Sequence, residues 1–238
     1  MEIFYIAAAL AFVPALLLMY FLLRPYTYPQ TEYPYFSDPS FFMLFAVGLV
    51  AGTLLFLVYS YIANSIVTVI VYSFIQVLAI VVCLNLKRYR GKSDSIFYGY
   101  GFGLGAGATT GMGLIYWFAT SASNLGSSLE IIDYVFLFML SVSMTLQYSA
   151  VGITVGDGIA RHVPMQFAIQ AMIYNLVFWV LFSITLLNSD SGIYMYAAAV
   201  LCLAVSAMYL LYAYKKEIGM MVIEVNRMAK KGKKFNDE

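Results

Sequence analysis

The chain has 238 residues, of which 63% are hydrophobic and 11% charged, and its mean hydropathy is +0.84. A soluble domain is about 45–50% apolar and about 25% charged. The composition therefore indicates an integral membrane protein, and 238 residues leave no room for a separate soluble catalytic or nucleic-acid-binding domain beside a bundle of spans.

Seven apolar segments of 21 to 25 residues predict an all-α, polytopic protein, because about 20 apolar residues cross a bilayer as a helix. A tight turn at Tyr61–Ser65 is expected to break the long apolar run that holds the second and third spans. Residues 1–214 are thus predicted to form a seven-helix domain and residues 215–238 a basic amphipathic tail. The predicted spans are Ile3–Leu23, Phe41–Ile62, Asn64–Leu86, Ile96–Ala119, Tyr134–Gly156, Val163–Leu187 and Ile193–Tyr214.

The basic residues predict the orientation. All 13 Lys and Arg follow spans one, three, five or seven, so seven crossings place every one of them on the same side. By the positive-inside rule this side is the cytoplasm, with the N-terminus outside. We expect a multi-pass protein of the plasma membrane.

The predicted membrane interior lacks charge. None of the 25 charged residues lies near the middle of a span, and Asp157 falls at a span end, where water is expected to be close. The single histidine, His162, lies in a short turn. Retinal pigments, zinc enzymes and aspartyl intramembrane proteases need lysine, clustered ligands or paired carboxylates at depth. We therefore expect no catalytic residue, metal or cofactor, and uncharged polar groups that bond between helices.

Glycines dominate the fourth span. Gly99, Gly103, Gly107 and Gly111 repeat every four residues on one side, and Gly101 and Gly105 lie on the opposite side. Small residues let helix backbones approach closely in lipid. This pattern predicts a central, enclosed helix that packs either within the chain or against a partner's helix.

Two segments are expected at the membrane surface. The stretch RPYTYPQTEYPYFSDP after span one is predicted to be an extended strap, since proline stops a continuous helix and tyrosine prefers the headgroup level. The tail KKEIGMMVIEVNRMAKKGKKFNDE has apolar residues at helical spacing beside a basic face. It is either an interfacial helix on anionic lipid or an extension of span seven.

Several features together resemble one family. The seven spans, the glycine repeat, the proline in AFVPALLL and the stretches MTLQYSAVGITVGDGIARH and IYNLVFWVLFSITLLN are similar to the anterior-pharynx-defective scaffold subunit of gamma-secretase. That subunit is distantly related to the PrsW-like and CAAX-type intramembrane glutamic proteases. The resemblance implies a polar cavity lined by Gln147, Tyr174 and Asn175, where the family carries histidines. Thr109 and Thr110 stand nearest the positions of the proteases' glutamates, which implies a pseudoenzyme.

These features favour a non-catalytic membrane scaffold or assembly subunit. Its expected partners are the lipid bilayer and either a transmembrane protein or a second copy of the chain, with no nucleic acid. Two alternatives stay open: a degenerate PrsW- or CAAX-like intramembrane protease, and a small neutral-solute transporter or channel.

Overall fold

The computed structural model describes residues 2–31, 34–62, 65–124, 130–187 and 192–230, and all regular structure in these ranges is helical. The predicted all-α class is confirmed. The predicted turn at Tyr61–Ser65 includes residues 63–64, and the tail ends with residues 231–238; both stretches lie outside the described residues. The long helices are α1 (Glu2–Leu23), α2 (Asp38–Ile62), α3 (Ile66–Leu84), α4 (Ser95–Asn124), α5 (Ile131–Ala160), α6 (Pro164–Leu187) and α7 (Gly192–Tyr212).

The chain beyond α7 stays helical. A π-helical turn (Ala213–Ile218) joins α7 to α8 (Gly219–Lys230). The predicted boundary between bundle and tail at residue 215 falls inside this turn. α8 buries Met221, and its residues Ile223 and Met220 are exposed.

Six of the described helices are long and apolar enough to span a membrane, which confirms a multi-pass membrane protein. The predicted span Ile96–Ala119 is not among these six and corresponds to most of α4. Glycine adds little hydropathy, so the repeat lowers the apolar character of this helix, although residues 95–124 contain no charged side chain. At 30 residues, α4 is about 45 Å long, enough to cross a bilayer.

α4 and α5 form the centre of the bundle. They run antiparallel, since Gly99 of α4 lies against Gly152 of α5 while Gly111 lies against Ser141. α2 packs on the opposite face of α4, and α1, α3, α6 and α7 complete the surroundings of the pair. α5 is buried along most of its length. Most polar side chains of α5 are therefore shielded from lipid.

The loops that carry basic residues meet at one end of the bundle. The Tyr26 ring, just after α1, contacts Phe97 at the start of α4 and Tyr214 after α7. The Gly91 N–H donates a 3.0 Å hydrogen bond to the Ile159 carbonyl. These contacts bring together the chain after α1, α3, α5 and α7, and we call this side of the bundle the basic end.

Candidate functional site

The four-residue glycine repeat of α4 faces α5. A Cβ atom built on any of its members would come within 3.0 Å of α5, mostly of main-chain atoms that cannot rotate away. Glycine at these positions therefore allows the two backbones to touch. Such a Cβ would lie 2.8 Å from the Gly152 carbonyl carbon at Gly99, 2.7 Å from that of Tyr148 at Gly103, 2.7 Å from Thr145 Cα at Gly107 and 2.6 Å from Ser141 Oγ at Gly111.

The second set of glycines faces α2. A Cβ on Gly101 would lie 2.8 Å from the ring of Phe41, and one on Gly105 would lie 2.9 Å from the Leu49 nitrogen. Both glycine faces of α4 are therefore occupied by helices of the same chain. Of the two interpretations that the sequence left open, the structure places the repeat in packing within the chain.

Uncharged polar side chains meet beside this helix pair. Asn175 Nδ2 donates hydrogen bonds to Gln76 Oε1 at 2.9 Å and to the Ser73 carbonyl at 3.0 Å. Trp179 Nε1 donates to the same Gln76 oxygen. Gln147 Nε2 donates to Asn175 Oδ1 at 3.4 Å. All five residues are buried, so this cluster ties α3, α5 and α6 together where lipid offers no partner.

Tyr148 extends the cluster to α4. Its hydroxyl accepts a hydrogen bond from Gln76 Nε2 and lies 3.4 Å from both Thr110 Oγ1 and the Tyr72 hydroxyl. Thr110 Oγ1 is also within 3.2 Å of the Gly52 carbonyl on α2, to which it donates. We call the connected set the interior network; it comprises Tyr72, Ser73, Gln76, Thr110, Gln147, Tyr148, Asn175 and Trp179.

The structure brings together two of the three residues assigned to a polar cavity. Gln147 and Asn175 bond directly to each other within the interior network, and Gln147 Oε1 is buried without a hydrogen-bond partner among the described residues. Tyr174 points elsewhere: it is 39% exposed, and its ring stacks on Tyr209 of α7 at 4.4 Å between centroids. The Thr109 hydroxyl donates a hydrogen bond within its own helix, to the Gly105 carbonyl.

A buried carboxylate lies at the basic end, in a stretch that the sequence pattern predicts to be part of the tail. Glu217 is 2% exposed. Its Oε2 accepts a 2.9 Å hydrogen bond from Thr154 Oγ1 on α5, and its Oε1 accepts one of 3.2 Å from Gln170 Nε2 on α6. The Tyr209 hydroxyl in turn donates to Thr154 Oγ1. Glu217 thus connects the end of α7 to α5 and α6 through neutral donors.

A second carboxylate shares this location. Asp157, which the sequence places at a span end, is 1% exposed. Its Oδ1 accepts a 2.8 Å hydrogen bond from Arg161 Nε. Arg161 Nη1 also forms a salt bridge with Glu224 Oε2 at 3.0 Å. Burial lowers the pKa of Arg161, but the two carboxylates outweigh burial and the pKa is raised. Asp157, Arg161, Gln170, Glu217 and Glu224 line one cavity of about 290 Å³, which we call the acidic pocket.

The sequence does hold a signal for Glu217. The buried residues of this stretch, Leu210, Ala213, Glu217, Ile218 and Met221, follow the spacing of one helical face. Continuing the apolar face of span seven through the basic residues would have placed Glu217 against the bundle. The π-helical turn adds one residue to a helical turn and so rotates the face, a feature often found at functional sites.

Comparisons with family models, with curated proteins and with solved structures found no match for the chain. The fold and the hydropathy define the class, an all-helical integral membrane protein. The resemblance to the gamma-secretase scaffold subunit and its protease relatives stays a prediction.

Proposed function

We propose that the chain is a non-catalytic scaffold or assembly subunit of the plasma membrane. One observation carries this proposal: the polar groups at the centre of the bundle bond to one another across five helices, from α2 to α6. Neutral amides and hydroxyls used in this way fix the relative positions of helices. Fixed helices give a rigid body whose outer faces can hold a partner.

The proposal includes seven crossings, with the N-terminus outside and the C-terminus in the cytoplasm. Support comes from the basic end, because the chain segments after α1, α3, α5 and α7 meet there and carry the ten Lys and Arg of the described residues. A cytoplasmic position for this end satisfies the positive-inside rule. Accessibility of cysteines placed at positions 92 and 120, near opposite ends of α4, tests the orientation with an impermeant thiol reagent.

The partner surface is proposed on the outer faces of the peripheral helices. α1 turns Ala7, Ala11 and Ala15 inward, while its Leu17 and Phe21 are 51% and 61% exposed. Such apolar faces suit either lipid or a partner's transmembrane helix, because lipid tails are as apolar as leucine.

Photo-crosslinking in the native membrane separates these two occupants. A photoreactive amino acid is placed at successive exposed positions of α1, α2 and α3, with the buried position Ala11 as the control. A bound helix gives protein crosslinks that recur every three or four residues on one face. Uniform absence of protein crosslinks on all three helices would contradict the scaffold proposal.

A second candidate, an intramembrane hydrolase, is favoured by the acidic pocket. Asp157 and Glu217 line the same cavity, and paired carboxylates are the groups that general acid–base hydrolysis uses. Arg161 already holds Asp157, which argues for a structural pair. Purified protein is tested on membrane-anchored peptides: cleavage that is lost in both Asp157→Asn and Glu217→Gln, while both variants stay folded, would replace the scaffold proposal.

A further inference from the structure

A groove opens between α1 and α2 at the basic end. Both helices pack on α4, but they make few contacts with each other. The groove contains a cavity of about 440 Å³, inside the range of roughly 300–1,000 Å³ typical of small-molecule sites. Buried Leu23, Phe36 and Phe41 line it, and Tyr20 and Phe42, both more than half exposed, also line it.

Two opposite charges lie on the rim of this groove. Arg24 ends the apolar run of α1 and Asp38 begins α2, and both are exposed residues that line the cavity. Among the described residues, neither takes part in an ion pair within 4 Å. The Arg24 guanidinium lies over the Tyr20 ring, with 5.9 Å between Cζ and the ring centroid. The Arg88 guanidinium, by contrast, donates a hydrogen bond to the Ser40 hydroxyl of α2.

The location of the two charges selects the ligand. Arg24 and Asp38 mark the points where the apolar runs of α1 and α2 meet the strap, which is the level of the lipid headgroups. A guanidinium that has no carboxylate partner matches a phosphate, and a carboxylate that has no cation matches a primary ammonium. Below them, the apolar groove continues between two membrane-facing helices. A zwitterionic phospholipid supplies a terminal ammonium, a phosphate next to it and, beyond the glycerol, a hydrocarbon chain.

We propose that this groove binds a phospholipid with a phosphoethanolamine headgroup, its phosphate at Arg24, its ammonium at Asp38 and one acyl chain along Leu23, Phe41 and Phe42. An anionic lipid would gain from Arg24 alone and be repelled by Asp38. The site therefore discriminates between headgroups, which the general attraction of a basic membrane surface does not do.

Native mass spectrometry of the full chain in mild detergent tests this site. The probes are phosphatidylethanolamine and phosphatidylglycerol with identical chains. Wild type is expected to retain more phosphatidylethanolamine. Arg24→Gln weakens both lipids by roughly 1.5- to fivefold, the effect of losing one exposed charge-assisted contact. Asp38→Asn weakens phosphatidylethanolamine alone and removes the preference.

Control variants and a soluble competitor test each part of the site separately. Arg90→Gln removes an exposed cation outside the cavity and should change neither lipid. Glycerophosphoethanolamine, which has the headgroup without chains, should not compete, whereas full competition would show a headgroup or free-phosphate site and overturn the acyl-chain part. Phe42→Ala should weaken both lipids equally. Unchanged thermal midpoints without added lipid show that the variants fold. Equal retention of both lipids by wild type, or wild-type selectivity in Asp38→Asn, overturns the proposal.

Discussion

The sharpest prediction concerns Gly107, whose backbone touches α5. A Cβ on Gly107 would meet three main-chain atoms of α5: Thr145 Cα at 2.7 Å, the Met144 oxygen at 3.0 Å and the Thr145 nitrogen at 3.2 Å. Ordinary van der Waals contact begins at 3.4 Å. In Gly107→Ala, α5 must therefore retreat by about 0.7 Å, because main-chain atoms have no rotamer to change.

The free-energy cost follows from two opposing effects. Overpacking a core costs about 1–3 kcal/mol, and we expect the upper end here because only backbone can move. Replacing glycine by alanine inside a helix returns about 0.5–1 kcal/mol. The net expectation is a loss of about 2 kcal/mol of unfolding free energy in Gly107→Ala. The same reasoning applies to Gly103, where a Cβ would lie 2.8 Å from Ser149 Cα.

Gly219 provides the matched control. It is also a helical glycine, with φ −58° and ψ −44°, but a Cβ there would meet no atom within 4 Å. Gly219→Ala should gain about 0.5–1 kcal/mol from helix propensity alone. Equilibrium unfolding in mixed detergent–SDS micelles, followed by tryptophan fluorescence, measures both variants. If Gly107→Ala proves as stable as Gly219→Ala, close α4–α5 contact does not stabilise the fold.

Three further predictions concern the polar groups. Gln76→Leu removes the oxygen that accepts hydrogen bonds from Asn175 and Trp179. We expect a loss of about 1–3 kcal/mol of unfolding free energy and a shift of Trp179 emission to shorter wavelength, measured in a Trp117→Phe background. An unchanged spectrum would contradict the Trp179 hydrogen bond. Arg161→Gln leaves buried Asp157 without its cation and should lower the unfolding free energy by about 2–3 kcal/mol. In a double-mutant cycle, adding Asp157→Asn should recover most of this loss. A double variant no more stable than Arg161→Gln alone would contradict the ion pair. Glu217→Leu leaves the Thr154 and Gln170 donors unpaired and should lower the unfolding free energy by about 1–3 kcal/mol. Glu217→Gln keeps an acceptor oxygen, so its unfolding free energy should stay within about 1 kcal/mol of wild type. Equal losses of the two variants in thermal unfolding would show that only side-chain volume matters.

Much of the architecture is predictable because hydropathy and backbone requirements act locally. Six of the seven predicted spans coincide with helices that meet the length and apolarity needed to cross a membrane. In the structure Gly103 lies against α5 and Gly101 against α2, a separation that follows from 3.6 residues per turn. Glycine's low hydropathy also explains why α4, although central, is the least apolar of the seven long helices α1–α7.

The polar sites are less predictable because they depend on contacts between distant segments. Gln147 and Asn175 are 28 positions apart and bond directly, whereas Tyr174, adjacent to Asn175, faces a different helix. A change of one residue rotates the side chain by about 100°, so family position alone does not decide which of the two enters the interior. Glu217 escapes prediction because its charge is typical of the tail, although its helical face is apolar.

The distribution of polar groups separates two kinds of site in one bundle. The interior network uses amides and hydroxyls, which can satisfy one another without a counter-ion, whereas Asp157 and Glu217 lie at the basic end, where Arg161 and the Thr154 and Gln170 donors offset the cost of burying charge. Hydrolysis would need the basic end, and rigidity needs the interior. A hydrolase would be identified if Gln76→Leu loses stability but still cleaves peptide, while Glu217→Gln stays stable but no longer cleaves it. A scaffold would be identified if partner crosslinks survive in Glu217→Gln but weaken in Gln76→Leu.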